Sequence, residues 1–182
     1  FPYDANVGAN KANYFINKSL YLKTGIADDG LISHTLSVQY KNSSPSNVFP
    51  TGLYRNYFQI LLPLNTTLKN VTKNGIKVDE ISIKDDLYKQ VGFFFEVAPK
   101  ETVEIKIEYS LNEKIGQDKS IYQFVIQKQI GAPNSDFVLE VSTAKNIHVL
   151  NQNFSPVVKG REIIYNTNLS TDKIFLIELI KE

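Results

Sequence analysis

The sequence predicts an all-β fold, an immunoglobulin-like antiparallel β-sandwich of about nine to eleven strands. Three observations predict it. Apolar and polar residues alternate with a period of two along most of the chain, turn-forming Gly, Pro and Asn separate the alternating runs, and three denser runs read as the central strands of packed sheets.

Residues 1–13 lack strand periodicity and are rich in Asn, Gly and Ala, so they read as a turn-rich connector ahead of one sandwich domain over residues 14–182. The first stripe is Tyr14, Ile16, Leu20, Leu22 and Ile26. Asp28-Asp29-Gly30 then makes a turn, with glycine where positive φ is expected. The return strand carries Ile32, Leu36, Val38 and Tyr40 on one side and Ser33, Thr35, Ser37 and Gln39 on the other, with His34 the single polar residue on the apolar side. Asn74-Gly75, between residues 68–73 and 76–83, is the strongest local hairpin signal in the chain.

Runs 57–62, 91–97 and 174–180 are apolar on both faces and rich in aromatic or β-branched residues, as central strands require. Between residues 102 and 109, Val103, Ile105, Ile107 and Tyr109 alternate with Glu104, Lys106 and Glu108, a half-buried strand. Residues 122–126, 137–141, 147–150 and 162–165 complete the set, and 131–135 is the weakest seam in an otherwise continuous domain. Short antiparallel strands of this kind bury one face each by packing as two sheets.

Composition excludes several classes of function. Cysteine is absent, which removes disulfides, thiolate metal sites and thiol nucleophiles together. The net charge is +1 with acidic and basic residues interspersed, so the clustered basic stripe of a nucleic-acid interface is missing. No apolar run approaches the roughly 18 residues of a spanning helix, and no membrane insertion by this segment is expected. With no methionine and a start at Phe1-Pro2-Tyr3, the sequence is expected to be part of a longer polypeptide.

No catalytic centre, metal site or cofactor is expected. His34 and His148 have no metal-ligand spacing; His34 reads as a hydrogen-bonded core or rim residue, and His148, between Ile147 and Val149, should face solvent. Asp28-Asp29, Asp79-Glu80 and Asp85-Asp86 read as turn chemistry rather than a calcium loop or glycosidase pair. No Gly-x-Ser-x-Gly elbow or phosphate-binding glycine loop occurs. Sequons at Asn17, Asn42, Asn65, Asn70, Asn153 and Asn168 would accept glycans in a secreted eukaryotic chain, and otherwise reflect asparagine in turns and on strand faces.

The surface candidate is Tyr54-Arg55-Asn56-Tyr57, because tyrosine and arginine stack on sugar rings and anchor protein partners. With the connector and the segment before the seam, the expected working surface is Asn10, Lys11, Tyr54, Arg55, Tyr57, Gln127 and Lys128.

Four segments carry a resemblance: Asp4 through Phe15, Tyr40-Lys41-Asn42, Tyr54-Arg55-Asn56-Tyr57, and Gln127-Lys128-Gln129-Ile130-Gly131. Together they resemble the C-terminal β-rich region of an uncharacterised bacterial family of exported, membrane-anchored proteins, domain of unknown function 4012. The resemblance implies a non-catalytic structural or interaction module at the extracellular face of a bacterial membrane or cell wall, with the anchor outside this sequence. Its implied partner is an upstream domain of the same polypeptide, with a cell-envelope polymer or another surface protein as a further partner. Recognition of envelope glycan is the alternative role, and it would require exposed coplanar aromatics.

Overall fold

The computed structural model describes residues 1–182. Fifteen strands and one turn of 3₁₀ helix, Ala12–Phe15, account for the regular structure. In order they are β1 (Pro2–Asn6), β2 (Ile16–Ile26), β3 (Leu31–Asn42), β4 (Tyr54–Leu62), β5 (Thr66–Lys73), β6 (Ile76–Lys77), β7 (Ser82–Asp85) and β8 (Lys89–Val97). The rest are β9 (Thr102–Lys114), β10 (Ser120–Ile126), β11 (Asp136–Thr143), β12 (Ile147–Gln152), β13 (Val157–Lys159), β14 (Glu162–Asn168) and β15 (Lys173–Lys181). No helix is long and apolar enough to cross a membrane.

The chain is an all-β sandwich, and its layers are unequal. One layer is an eight-stranded sheet in the order β13-β14-β11-β2-β3-β9-β5-β6. The other is divided into a four-stranded sheet, β1-β4-β8-β7, and a three-stranded sheet, β10-β15-β12. Alternation decides which face of the large sheet is covered. Leu22, Leu36 and Ile107 stand in register on β2, β3 and β9 and are buried, whereas Ser33, Thr35 and Ser37 point to the opposite, polar face.

Both small sheets pack on the same apolar face. Tyr40 on β3 meets Phe95 on β8 with ring centroids 4.9 Å apart, and Phe137 on β11 meets Phe175 on β15 at 5.8 Å. Each fully buried aliphatic side chain on this face contributes about 1.5–3 kcal/mol of hydrophobic stabilisation. The buried apolar residues form one cluster running through all three sheets.

Three departures from the sequence reading have physical causes. Residues 1–13 are not all connector, because Pro2–Asn6 pairs with β4 along its whole length. Run 76–83 is two strands in different sheets: β6 closes the Asn74-Gly75 hairpin, and after Asp79-Glu80 the chain crosses to pair β7 with β8. These strands and β13 raise the count beyond eleven. The sandwich is also not wholly antiparallel, since β2 and β11 run parallel from Ser19 opposite Asp136 to Ile26 opposite Thr143. The expected turns hold, with Gly30 at φ +87°, Asn74 at +50° and Gly75 at +79°.

Candidate functional site

The expected surface residues do not form one surface. Tyr54 is only 3% exposed and faces the core. Tyr57, three residues on along the same strand, faces outward, and its ring lies over Gly92, where an added Cβ would sit 2.7 Å from the Tyr57 hydroxyl. The two rings are therefore on opposite faces of β4 and offer no shared stacking platform. Arg55 points outward and pairs with Glu96 at 3.0 Å.

Asn10 is occupied in holding the chain, its Nδ2 donating to the carbonyls of Leu53 (3.0 Å) and Thr51 (3.3 Å). Lys11 is exposed, with its backbone N–H bonded to the Pro50 carbonyl at 2.8 Å. Gln127 is exposed, whereas the Lys128 ammonium donates to the carbonyls of Ala132 (2.7 Å) and Gln129 (3.3 Å). Asn10 and Arg55 border one depression; Gln127 and Lys128 border another.

The four segments of the family resemblance meet at Asp4, a residue the sequence did not single out. Its Oδ1 accepts from the Tyr40 hydroxyl (2.7 Å) and Asn56 Nδ2 (2.6 Å), and its Oδ2 is paired with the Lys18 ammonium (2.7 Å). The side-chain amide of Gln129 brackets its backbone, accepting from the Asp4 N–H at 3.0 Å and donating to its carbonyl at 2.8 Å. Asp4, Lys18, Tyr54 and Gln129 also line a polar pocket of about 300 Å³. The motif polar groups are thus largely spent within the fold, joining β1 to β2, β3, β4 and the loop after β10.

A second and larger feature lies between the small sheets. β4 and β10 belong to different sheets and do not pair, and the gap between them is a cleft of about 420 Å³. Leu22, His34, Leu36 and Tyr109 come to it from the large sheet. The imidazole of His34 is stacked with Tyr109 at 4.7 Å and with Tyr122 at 6.1 Å. Its Nδ1 is 3.0 Å from Thr24 Oγ1, which is in turn 3.3 Å from the Tyr122 hydroxyl.

The expected hydrogen-bonded core histidine is what Nδ1 shows; Nε2 bonds to no protein atom and is not among the sealed polar atoms without partners. The Tyr109 hydroxyl is in the same position, so both groups open onto the cleft. Thr24 is fully buried and no carboxylate touches the imidazole, so the Thr24–His34 pair lacks the access and the orienting group of an activated nucleophile.

Burial lowers the His34 pKa from 6.5 to about 4, because the imidazolium would lose its hydration. The unfolded chain then binds more protons than the folded one between those values. Stability is fully present above pH 6.5 and falls by about 3 kcal/mol as the pH is lowered to about 4. Urea unfolding at pH 7.5 and 4.5 checks this: His34→Phe is expected to flatten the acid-side loss, and an unchanged pH dependence in that variant would refute the assignment. His148 is exposed as expected and lies 3.3 Å from Glu182.

The outer faces of the three sheets differ in character. On the three-stranded sheet, Ile121 and Val125 of β10 and Ile174 and Leu176 of β15 all point to solvent, Ile121 being 64% and Ile174 49% exposed. Val125 stands directly opposite Ile174, and Leu176 is diagonal to both β10 residues, so the four side chains are neighbours.

No known family's sequence pattern matches the chain, and no curated protein resembles it by sequence. Solved structures resemble it in fold. A candidate nutrient binding protein from Legionella pneumophila superposes with a TM-score of 0.56 at 13% identity, covering 98% of this chain and 70% of that one. The yeast leukotriene A4 hydrolase in complex with bestatin gives 0.54 at 10% identity, covering 96% of this chain and 31% of the hydrolase. An M1 zinc metallopeptidase from Deinococcus radiodurans gives 0.42 at 10% identity, and this chain spans 42% of its length. The likeness is one of fold. The chain spans less than half of the hydrolase and of the metallopeptidase, and it contains no grouping of three or more His, Asp or Glu side chains able to hold a metal ion.

Proposed function

We propose that the chain is a non-catalytic interaction module of a bacterial cell-surface protein, and that it seats an adjoining domain of the same polypeptide on the outer face of its three-stranded sheet. The observation that carries this reading is the apolar character of that face at Ile121, Val125, Ile174 and Leu176. A sheet face left to water is ordinarily polar, as the outer face of the large sheet is, and contiguous exposed apolar side chains mark interaction surfaces.

Two further points favour a covalently linked occupant. Four partly exposed aliphatic side chains offer far less than the about 800 Å² per partner of a standard free complex. Tethering replaces that missing area with effective concentration. Phe1 and Pro2 also line the cleft that Val125 of β10 borders, so the start of β1 lies beside the patch. The cell-surface setting rests on the family resemblance.

The test is the pair of substitutions Ile174→Glu and Leu176→Glu in the longer polypeptide and in the isolated chain. Both side chains are in solvent, so the isolated chain should keep its stability within about 0.5–1 kcal/mol. In the longer protein the double variant should lose inter-domain cross-links and expand in small-angle scattering. Unchanged cross-links and dimensions would overturn the reading.

A further inference from the structure

We infer that the cleft over His34 is a binding site for an uncharged acyl group, its chain lying between β4 and β10 and its carbonyl oxygen accepting hydrogen bonds from His34 Nε2–H and the Tyr109 hydroxyl. The cleft meets the outer-face patch at Val125, but the inference rests on the groups at its inner end and does not require the patch to be occupied.

Protein interiors close gaps larger than a water molecule wherever side chains can reach. Here an opening of about 420 Å³ is held apart by construction: β4 is pinned to β1 and β8, and β10 is pinned to β15, so neither strand is free to collapse on the other. That volume lies within the range of small-molecule sites, which are mostly apolar with a few placed polar groups. The walls meet that description. Ile60 and Leu62 from β4 and Phe124 and Ile126 from β10 line the cleft, Phe124 half-buried and the other three buried, and such surfaces hold water poorly.

The polar end is set by a relay of three groups. Tyr122 is the strongest acid among them and the imidazole nitrogen the strongest base. The favoured order is therefore Tyr122 O–H donating to Thr24 Oγ1, and Thr24 O–H donating to His34 Nδ1. This places the ring proton on Nε2, the atom that opens onto the cleft. The Tyr109 hydroxyl, stacked against the same ring, supplies a second donor. Burial holds the Tyr109 and Tyr122 phenols well above the ordinary phenolic range, so both remain protonated.

Ligand charge is selected as well. No Asp, Glu, Lys or Arg side chain lines the cleft, and the Phe1 amino group, which does line it and donates to the Leu61 carbonyl, is neutral at pH 7 because burial lowers its pKa from 8.0 to about 5. An ionised carboxylate entering it would surrender its hydration without a counter-ion, whereas an ester or amide carbonyl would not. The recognised chemistry is an aliphatic chain ending in a neutral carbonyl, whether from a lipid ester or from an acyl amide.

The experiment titrates the ¹⁵N-labelled chain at pH 7 with monooctanoylglycerol, octanamide and sodium octanoate, following the two histidine imidazoles by NMR. The ester, the amide or both should shift the His34 resonances while leaving those of His148 in place, and the arm that binds more tightly identifies the source. Octanoate should bind at least tenfold more weakly. Leu111→Trp, which fills the cleft from a half-buried position, should weaken binding at least tenfold. His34→Phe keeps the stacking but removes the donor, and should do the same. The inference fails if neither neutral ligand moves the His34 signals at millimolar concentration, if octanoate binds equally well, or if both variants retain wild-type affinity.

Discussion

Phe175→Ala should lower the stability of this chain by about 3–5 kcal/mol, the range for deleting a fully buried aromatic ring. The ring is 1% exposed and joins three layers of contacts at once. It meets Tyr165 at 4.9 Å, Phe154 at 5.5 Å, Phe137 at 5.8 Å and Phe124 at 6.2 Å. Those neighbours come from the large sheet, the loop after β12 and β10, so no single element is able to move in and refill the space. For a chain of this size each kcal/mol shifts the melting temperature by about 2–4 °C, giving an expected fall of about 10 °C. Calorimetry measures the fall, and amide exchange should show β10 and β12 losing protection first. A loss under about 1 kcal/mol would mean that the three-stranded sheet is held by something other than this aromatic cluster.

Asp4→Ala is expected to cost a comparable amount, about 3–5 kcal/mol, through a different mechanism. The carboxylate is the common acceptor for Lys18, Tyr40 and Asn56, and all three donors are largely or fully buried. Removing it leaves a buried ammonium without a counter-charge and two buried donors without acceptors. A double-mutant cycle with Tyr40→Phe separates the network from simple packing: the two losses should be strongly non-additive, since the Tyr40 hydroxyl has no other acceptor. Additive losses in urea unfolding would show that the groups act independently.

The sandwich was legible because β3 and β9 alternate so regularly, and the Asn74-Gly75 hairpin because φ > 0 at both turn positions suits those two residues. The dense runs near residues 57–62, 91–97 and 174–180 do become the interior strands β4, β8 and β15 of the small sheets. Strand β1 was hidden because its inward residues are Pro2 and Asp4, and only partners far along the chain make Asp4 tolerable there. The division of the second layer into two sheets is likewise a matter of which edges meet, and local alternation does not encode it.

The cleft was hidden for a related reason. His34 gave a local signal, but Tyr109 and Tyr122 reach it only through the pairing of β3 with β9 and the packing of β10 above. The opposite orientation of Tyr54 and Tyr57 was readable in advance. Residues three apart on a strand fall on opposite faces, and that parity alone separates the two rings.

The parallel pairing of β2 with β11 has a consequence for how the molecule is made. Residues near 20 must wait for residues near 137 before the large sheet can close. During synthesis, the residues up to the end of β9 can zip β2 to β3 and β3 to β9, yet one backbone edge of β2 stays bare until β11, more than a hundred residues after β2, has emerged. Long-range closures of that kind are slow, and a bare edge is a template for another chain. A chain halted before β11 should therefore be the form that aggregates or recruits a chaperone, with the exposed ladder of β2 as the place where it does so.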